Sequence, residues 1–584
     1  MGTGVFCILL LSACGMVAQA QSPTRNYFLG RQMLDANGSQ AITTITYYDD
    51  LGYEDEVATT GLGGQGKYTY TKKEYAVPGQ VVKEWIPSAT SSDGSYLDAP
   101  SFISSSCSFF KDSYPFVTNE YDALGRVVST MQPGANWTNA HRAVRKRYDT
   151  NAENSVKKYV VSSSGALEQA GFYTSGALSL EMSIDEDGNT LQVFTDVVGR
   201  KVLERRADSN DTYYIYDDLG LLRFVLSPSY QEEANLEKYG YEYRYDQRGR
   251  CVWKRLPGCE YLQLWYDNAD NLMFSQDGEQ RKKGIYVFYL YDFVKRQVLQ
   301  GTTTAINSSC PSAIVAFNVS DAGICRSGYS SANDLGLKNE QLLQANYYDN
   351  HAFINGQLEK QATSQNLASN QQAKEEYSKG SLTGTVSMAT DGKPLVSVYY
   401  HDLKGQVIAS KQTLPDDALL SQNMTYSFTK QPLEIISEIF KNGISTTVTQ
   451  TNSYNKHNDK IETMTLKVGN VTRTVSSYSY NDISRLLSIK RSGNVLRGYD
   501  FAYDGLNRLE ESTYAEGAGM SQNKNRYSEN VLSYSANGSI ERLQRYGKKN
   551  NGTFGLIDDL MYSYNGNQIK FKRHSIDTVI DILK

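Results

Sequence analysis

The stretch Tyr121-Asp122-Ala123-Leu124-Gly125-Arg126-Val127-Val128 decides how this chain folds, because it reads as a hairpin turn. Tyr121 ends an incoming strand. Asp122 takes the first turn position, where its carboxylate accepts from the backbone two residues on. Ala123 and Leu124 suit a type I turn, and Gly125 supplies the left-handed residue of a G1 bulge, a common closure for short hairpins. Arg126 leads the outgoing strand and is expected across from the Tyr, where a guanidinium over the ring adds about 0.5–1 kcal/mol.

The unit recurs along the chain. Clear copies are Tyr48-Asp49-Asp50-Leu51-Gly52-Tyr53, Tyr216-Asp217-Asp218-Leu219-Gly220-Leu221 and Tyr245-Asp246-Gln247-Arg248-Gly249-Arg250. Phe194-Thr195-Asp196-Val197-Val198-Gly199-Arg200 reads as a copy with one residue extra. Weaker copies start at Tyr266, Tyr291, Tyr400, Tyr454, Tyr480, Tyr503, Tyr534 and Tyr564. Where they are dense the starts fall roughly 20–30 residues apart, the period of a stacked repeat. At the Gly position stand Asn458 and Asn507, and Asn is the next-best residue for positive φ. Lys295 and Ser484 in that position predict turns that are distorted or of another type. The outgoing Arg is found as Arg126, Arg250, Arg485 and Arg508.

Segments around the turns alternate as strands do, as in Tyr213-Tyr214-Ile215-Tyr216 and Leu222-Arg223-Phe224-Val225-Leu226. One hairpin cannot bury a face alone, but many side by side can. The expected fold is all-β, a long coiling antiparallel sheet of repeated hairpins. Composition agrees. The 44 Tyr among 584 residues favour strands. A charged fraction of 21% beside 40% hydrophobic residues argues against disorder. The net charge of −5 argues against a dedicated nucleic-acid binder, which shows a basic face.

The amino terminus reads as an export signal. The apolar run Val5 to Val17 is too short to span a bilayer and leads to Ala18-Gln19-Ala20, a small-x-small site, with cleavage expected between Ala20 and Gln21. Leu11-Ser12-Ala13-Cys14 resembles a lipobox, so lipidation of Cys14 is the competing reading. No later segment is long and apolar enough to cross a membrane; Ile285 to Leu290 comes nearest. The expected location is secreted or on the outer-membrane surface.

Chemistry-bearing motifs are scarce. Five Cys follow residue 20, at 107, 251, 259, 310 and 325; Cys310 with Cys325 is the more plausible disulfide, and free thiols are equally consistent. Gly61-Leu62-Gly63-Gly64-Gln65-Gly66-Lys67 satisfies GxGxxG, but the alternating strand from Tyr68 follows it instead of the helix that phosphate binding needs. Asp185-Glu186-Asp187-Gly188-Asn189 is too short for a calcium loop, and a hairpin turn explains it. The acid pairs Asp49-Asp50, Asp217-Asp218 and Asp558-Asp559 read as scaffold, since two of the three fall in turns. The five His are scattered, and His401 and His457 fall in turns. No catalytic residue, cofactor or metal site is expected.

The repeated units, together with other landmarks, resemble the RHS/YD-repeat proteins of the secreted bacterial type. Asn26-Tyr27-Phe28-Leu29 through Gly52 looks like the uncharacterised amino-terminal module that precedes such repeats. Gln132-Pro133-Gly134-Ala135-Asn136-Trp137, Leu256-Pro257-Gly258, Tyr347-Tyr348-Asp349-Asn350, Leu382-Thr383-Gly384-Thr385 and Tyr564-Asn565-Gly566-Asn567-Gln568 look like further landmarks. The resemblance implies a hollow β-sheet shell, which in many relatives is plugged by a carboxy-terminal core and encloses a toxic domain. This sequence stops at Lys584 without that core, an autocleavage segment or an effector, so an open or partial shell, truncated before the core, is expected. The expected division is 1–20 signal, 21–165 amino-terminal β-rich module, 166–300 first repeat block, 301–390 loop-rich insertion and 391–584 second block. The expected function is a non-enzymatic exported scaffold of a polymorphic toxin or cell-contact system, partnered by a toxin or effector encoded downstream. Two alternatives stay open: a surface adhesin binding cell-surface glycans through exposed aromatics, and a non-functional remnant. Neither nucleic acid nor a transmembrane span in the mature chain is expected.

Overall fold

A computed structural model describes residue 22 and residues 25–60, 67–90, 93–206, 210–356, 375–565 and 568–574. The expected all-β architecture is what it shows. Nearly every described strand joins one antiparallel sheet, 35-stranded among the described residues. Strand pairs with strand in chain order, from Asn26–Met33 against Ala41–Tyr48 to Phe554–Asn565 against Gln568–His574. Two short hairpins stand apart, Lys157–Val161 with Leu167–Phe172 and Ala316–Phe317 with Tyr329–Ser330. The sheet passes them by: Ala143–Thr150 pairs directly with Ser179–Ile184, and Gln297–Thr303 with Gln341–Tyr348. The sheet is not closed into a barrel.

A single-layer sheet must hide an apolar face or carry none. Side chains alternate along strands, so the register fixes which residues share a face. Ile45, Ala58 and Tyr70 lie on one face. Followed strand by strand, the same face carries Phe194, Leu203, Tyr213 and Leu226, then Leu290, Leu299, Ala345 and Val386. Three excursions of the chain fold over it. The first holds the helix Ala99–Phe110, started by the Asp98 side chain accepting the Ser101 amide at 2.8 Å. Its Phe102 packs edge-on to Trp85 at 5.4 Å, over Tyr47 and Tyr70. The second brings Val156 and Leu178 onto Phe194, Leu203 and Tyr213. The third lays Cys310, Ala313, Val315 and Tyr329 over Phe274, Phe288 and Leu290. At about 25 cal/mol per Å² of apolar surface, this cover is what makes a one-layer sheet with an apolar face stable.

The stretch 301–390, expected as a loop-rich insertion between blocks, is largely irregular among its described residues but is not set apart from the sheet. It contributes the strands Gln341–Tyr348 and Leu382–Met388 and much of the largest buried cluster, including Phe353 stacked on Tyr347 at 4.3 Å. Its small apolar residues were hidden among Ser and Asn. The Asn- and Gln-rich run from Ala362 to Gln372 lies outside the described residues. Beyond Ala418 the same face turns polar, with Ser421, Asn423, Thr449, Thr451, Thr465 and Ser477. The buried apolar clusters among the described residues all lie before that change, so the later strands carry little that needs covering.

A charged cluster is buried beneath the first excursion. Lys72 Nζ lies 2.8 Å from Asp55 and 3.8 Å from Glu56, and Tyr96 donates to Asp55 at 2.6 Å. Glu56 is fully buried; its Oε1 accepts the Leu97 amide at 2.9 Å, while its Oε2 accepts no hydrogen bond and has only the Lys72 ammonium 3.8 Å away. Burial pushes the Glu56 carboxyl up to about 7. The folded state thus holds this proton more tightly than the unfolded chain. The stability so contributed is complete below the ordinary glutamate range and is lost as pH rises through about 7. Thermal melts of wild type and Glu56→Gln between pH 5 and 8, read through tryptophan fluorescence, should show the wild type losing ground to the variant as pH rises. The difference reaches at most about 3 kcal/mol, since one pKa unit is 1.36 kcal/mol. Parallel pH dependences contradict the assignment.

Candidate functional site: the turn rim and its seam

The turns have the chemistry the sequence predicts. One Asp122 oxygen accepts the amides of Leu124 and Arg126, both at 2.9 Å. The Asp122 amide donates to the Arg126 carbonyl at 2.9 Å, and the Gly125 amide returns to the Asp122 carbonyl at 3.0 Å. Asp49, Asp217 and Asp246 accept the same pair of amides, two and four residues on. Gly52, Gly125, Gly220 and Gly249 have φ of 86°, 76°, 80° and 75°, and Asn507 has 67°. Pairing slips by one residue at each turn, as between Glu120 and Tyr121, which is the expected bulge. The Arg126 amide and guanidinium hold the Asp122 carboxyl below the usual carboxylate range.

Four details differ from expectation. Lys295 and Ser484 do not distort their turns: φ is 65° and 64°, and the Lys295 and Ser484 amides close them at 3.0 Å. The bonds taken by Asp292 and Asn481 hold the shape against the left-handed cost. In the Tyr454 copy the left-handed residue is Asp459, not Asn458, because the loop is one residue longer and Asn455 pairs with Lys460. The Asp196 turn has no extra residue; Thr195 holds the Tyr position and pairs with Lys201. The copy assigned to Tyr400 begins one residue later, with buried His401 at the strand end.

Tyrosine has a role that strand propensity did not reveal. In most copies the repeat Tyr hydroxyl donates to the first carbonyl of the preceding hairpin's outgoing strand. Tyr121 reaches Val81 at 2.9 Å, Tyr245 reaches Leu222 at 2.8 Å, Tyr266 reaches Cys251 at 3.1 Å and Tyr503 reaches Leu486 at 2.9 Å. These bonds sew hairpin to hairpin. The outgoing Arg serves the same end, and not by covering its own Tyr. Arg250 pairs with Asp246 at 2.7 Å and lies 5.1 Å from the ring of the next repeat's Tyr266. Arg508 pairs with Asp504 and lies 4.4 Å from Tyr534, and Arg126 lies 3.9 Å from Tyr148. Arg485 follows Asn481 and donates to the Asp504 carbonyl at 3.3 Å.

Because every strand reverses, successive connections alternate between two rims. The Tyr-Asp turns all fall on one, the turn rim, and the connections between repeats on the other, the return rim. The late turn rim rests on the early return rim. Lys67 Nζ meets Asp482 at 3.1 Å. Asp187 accepts the amides of Ala536 and Asn537, both at 3.2 Å, and Asp185 accepts the Asn537 side chain at 3.1 Å. Trp137 donates to the Ala536 carbonyl at 3.3 Å beneath Arg508 at 5.3 Å. Ile86, Pro87, Phe110 and Pro133 face Ile483 and Leu506 across a cavity that Asn507 also lines. The sheet therefore coils, with about 25 strands to a lap, and its second lap lies on its first along a seam. The Asp185–Asn189 turn, read as a plain hairpin, is a seam contact.

The expected signal residues Cys14, Ala20 and Gln21 and the glycines 61–66 lie outside the described residues. Cys107, Cys251, Cys259, Cys310 and Cys325 stand as free thiols. Among the described residues no group of three His, Cys, Asp or Glu side chains is placed to hold a metal, and no helix is long and apolar enough to cross a membrane.

Residues 20–150 match a family described as a domain of unknown function (DUF6443). Comparison with curated proteins gives no match. Among solved structures the chain is similar to TcdB2-TccC3, at 12% identity and a TM-score of 0.60, over 95% of this chain and 25% of that one. It is also similar to TcdB2-TccC3 without its hypervariable C-terminal region, at 12% identity and a TM-score of 0.56, over 94% of this chain and 24% of that one. The chain thus spans a quarter of the length of the structure it matches, and what it shares is the fold.

Two substitutions test the sewing. Tyr503→Phe removes only the hydroxyl and should cost about 0.5–1.5 kcal/mol in urea unfolding. Lys295→Gly relieves a left-handed lysine and should add about 1 kcal/mol. A neutral Tyr503→Phe contradicts the hydroxyl's role.

Proposed function

We propose that this chain is a non-enzymatic, exported scaffold of the RHS/YD type, forming part of the shell of a polymorphic toxin or cell-contact system. The observation that carries the reading is the seam. A sheet that coils until its own rims meet makes a wall around a space. Uniform Tyr-Asp turns spread along a rim suit a wall better than a catalytic centre, which needs a unique constellation. The fold likeness to TcdB2-TccC3 supports a toxin-shell role, and the match of residues 20–150 is consistent with a leading module before repeats. The partner proposed is a toxin or effector polypeptide encoded downstream.

The glycan-binding alternative draws less support. Trp85 and Trp137 are buried, and Trp253 and Trp265 are half-buried, so no Trp offers a flat open platform. Trp253 is itself sandwiched, stacked on Tyr261 at 5.3 Å with Arg244 at 4.2 Å.

The test is co-expression with the polypeptide encoded directly downstream, followed by size-exclusion chromatography, with a glycan array of the isolated chain in parallel. The expected result is a stoichiometric complex, with the scaffold's amino terminus at Gln21 by mass spectrometry. No complex, together with glycan binding lost in Trp253→Ala, overturns the reading in favour of an adhesin. A lipid on Cys14 overturns cleavage after Ala20.

A further inference from the structure

The seam explains two turns that cover apolar tips and leaves many that do not. In the turn Asn481-Asp482-Ile483-Ser484, Asp482 pairs with Lys67, and Ile483 faces Ile86, Pro87 and Phe110. Leu506 holds the matching tip position in its own turn and is likewise half-buried at the seam. On the first lap that tip position is aliphatic in several turns, although Arg248 and Lys404 hold it in others, and Leu51, Leu124, Val198, Leu219 and Val294 are each at least 68% exposed. Two of these tips repeat the seam pair in full: Asp50-Leu51 and Asp218-Leu219 have the acid and the aliphatic residue where Asp482-Ile483 has them. Both acids are exposed. Exposed large aliphatic side chains repeated along one edge mark an interaction surface.

The opposite open edge is complementary. On the return rim of the second lap, the hairpin tips expose Ile444, Val468, Val471 and Val495, flanked by the exposed Lys467 and by Lys441, which lies 3.3 Å from Asp416 of the same rim. Lysine beside aliphatic residues is what the early return rim presents at the seam, through Lys67, Ile86 and Pro87. The chain thus has a bare turn rim at one end of its coil and a bare return rim at the other, and it already joins these two kinds of rim to each other internally.

We propose that a second copy of this chain continues the coil head to tail. The return rim that carries Lys441–Ile444 and Lys467–Val471 on one copy lies along the turn rim that carries Asp50-Leu51 and Asp218-Leu219 on the next. The contact is heterologous, so it has no two-fold axis and can extend beyond a dimer. It follows from the seam and does not depend on what the scaffold carries.

Sedimentation velocity over a concentration series tests it, with two variants of the full chain. One is Leu51→Asp with Leu219→Asp, on the turn rim. The other is Val468→Asp with Val471→Asp, on the return rim. All four positions are exposed, and circular dichroism checks that each variant keeps its strand content. The wild type is expected to associate as concentration rises, and each variant to weaken association by about tenfold or more. An equimolar mixture of the two variants recovers one intact interface, so it should form a 1:1 dimer that grows no further. A wild type that stays monomeric, a variant that associates as the wild type does, or a mixture without heterodimer overturns the proposal.

Discussion

A carboxylate that accepts two backbone amides, two and four residues ahead, sets the shape of this molecule. It fixes a type I turn and a left-handed fourth residue, and with them a one-residue slip of the strand that follows. The slip gives each hairpin the same geometry at the same end. The bonds are strong enough that Lys295 and Ser484 adopt a backbone that usually calls for Gly or Asn. Identical turns collect on one rim, and the other consequences follow from that segregation.

Between turns, tyrosine carries the regularity onward. A hydroxyl on the last residue of one hairpin's incoming strand reaches the first outgoing carbonyl of the hairpin before it, while the outgoing Arg bridges its own Asp and the next ring. Neighbouring hairpins are therefore held by side chains as well as by the ladder. The sheet is one layer thick, so its apolar face needs separate cover, which three excursions provide where that face is apolar. Where it becomes polar, after Ala418, the cover stops. Twist accumulated over many strands brings the second lap onto the first, and Asp187, Trp137 and Lys67 hold it there.

Much of this was legible in the sequence. Turn chemistry is local, so Asp122 and Gly125 announce their roles without knowledge of anything distant, and hairpin after hairpin implies one long sheet. What could not be read was set by contacts far apart along the chain. Asp185–Asn189 has a hairpin's composition, and only its meeting with Asn537 makes it a seam. The cover supplied by 304–340 rests on small apolar residues such as Ala313 and Val315, spaced without helix or strand period. The Tyr hydroxyl bond left one trace, the excess of 44 Tyr over 19 Phe, which strand propensity alone does not explain. The Tyr454 turn went astray by one residue because Asn458 and Asp459 both tolerate positive φ.

The coil is tested most directly by zero-length carbodiimide cross-linking of the dilute chain, read by peptide mass spectrometry. Lys67 and Asp482, 3.1 Å apart across the seam, should be joined in the monomer fraction as Lys146 and Glu181 are within the sheet, where they lie 2.8 Å apart. Recovery of the Lys146–Glu181 link without any link between the neighbourhoods of Lys67 and Asp482 would contradict a sheet whose laps meet.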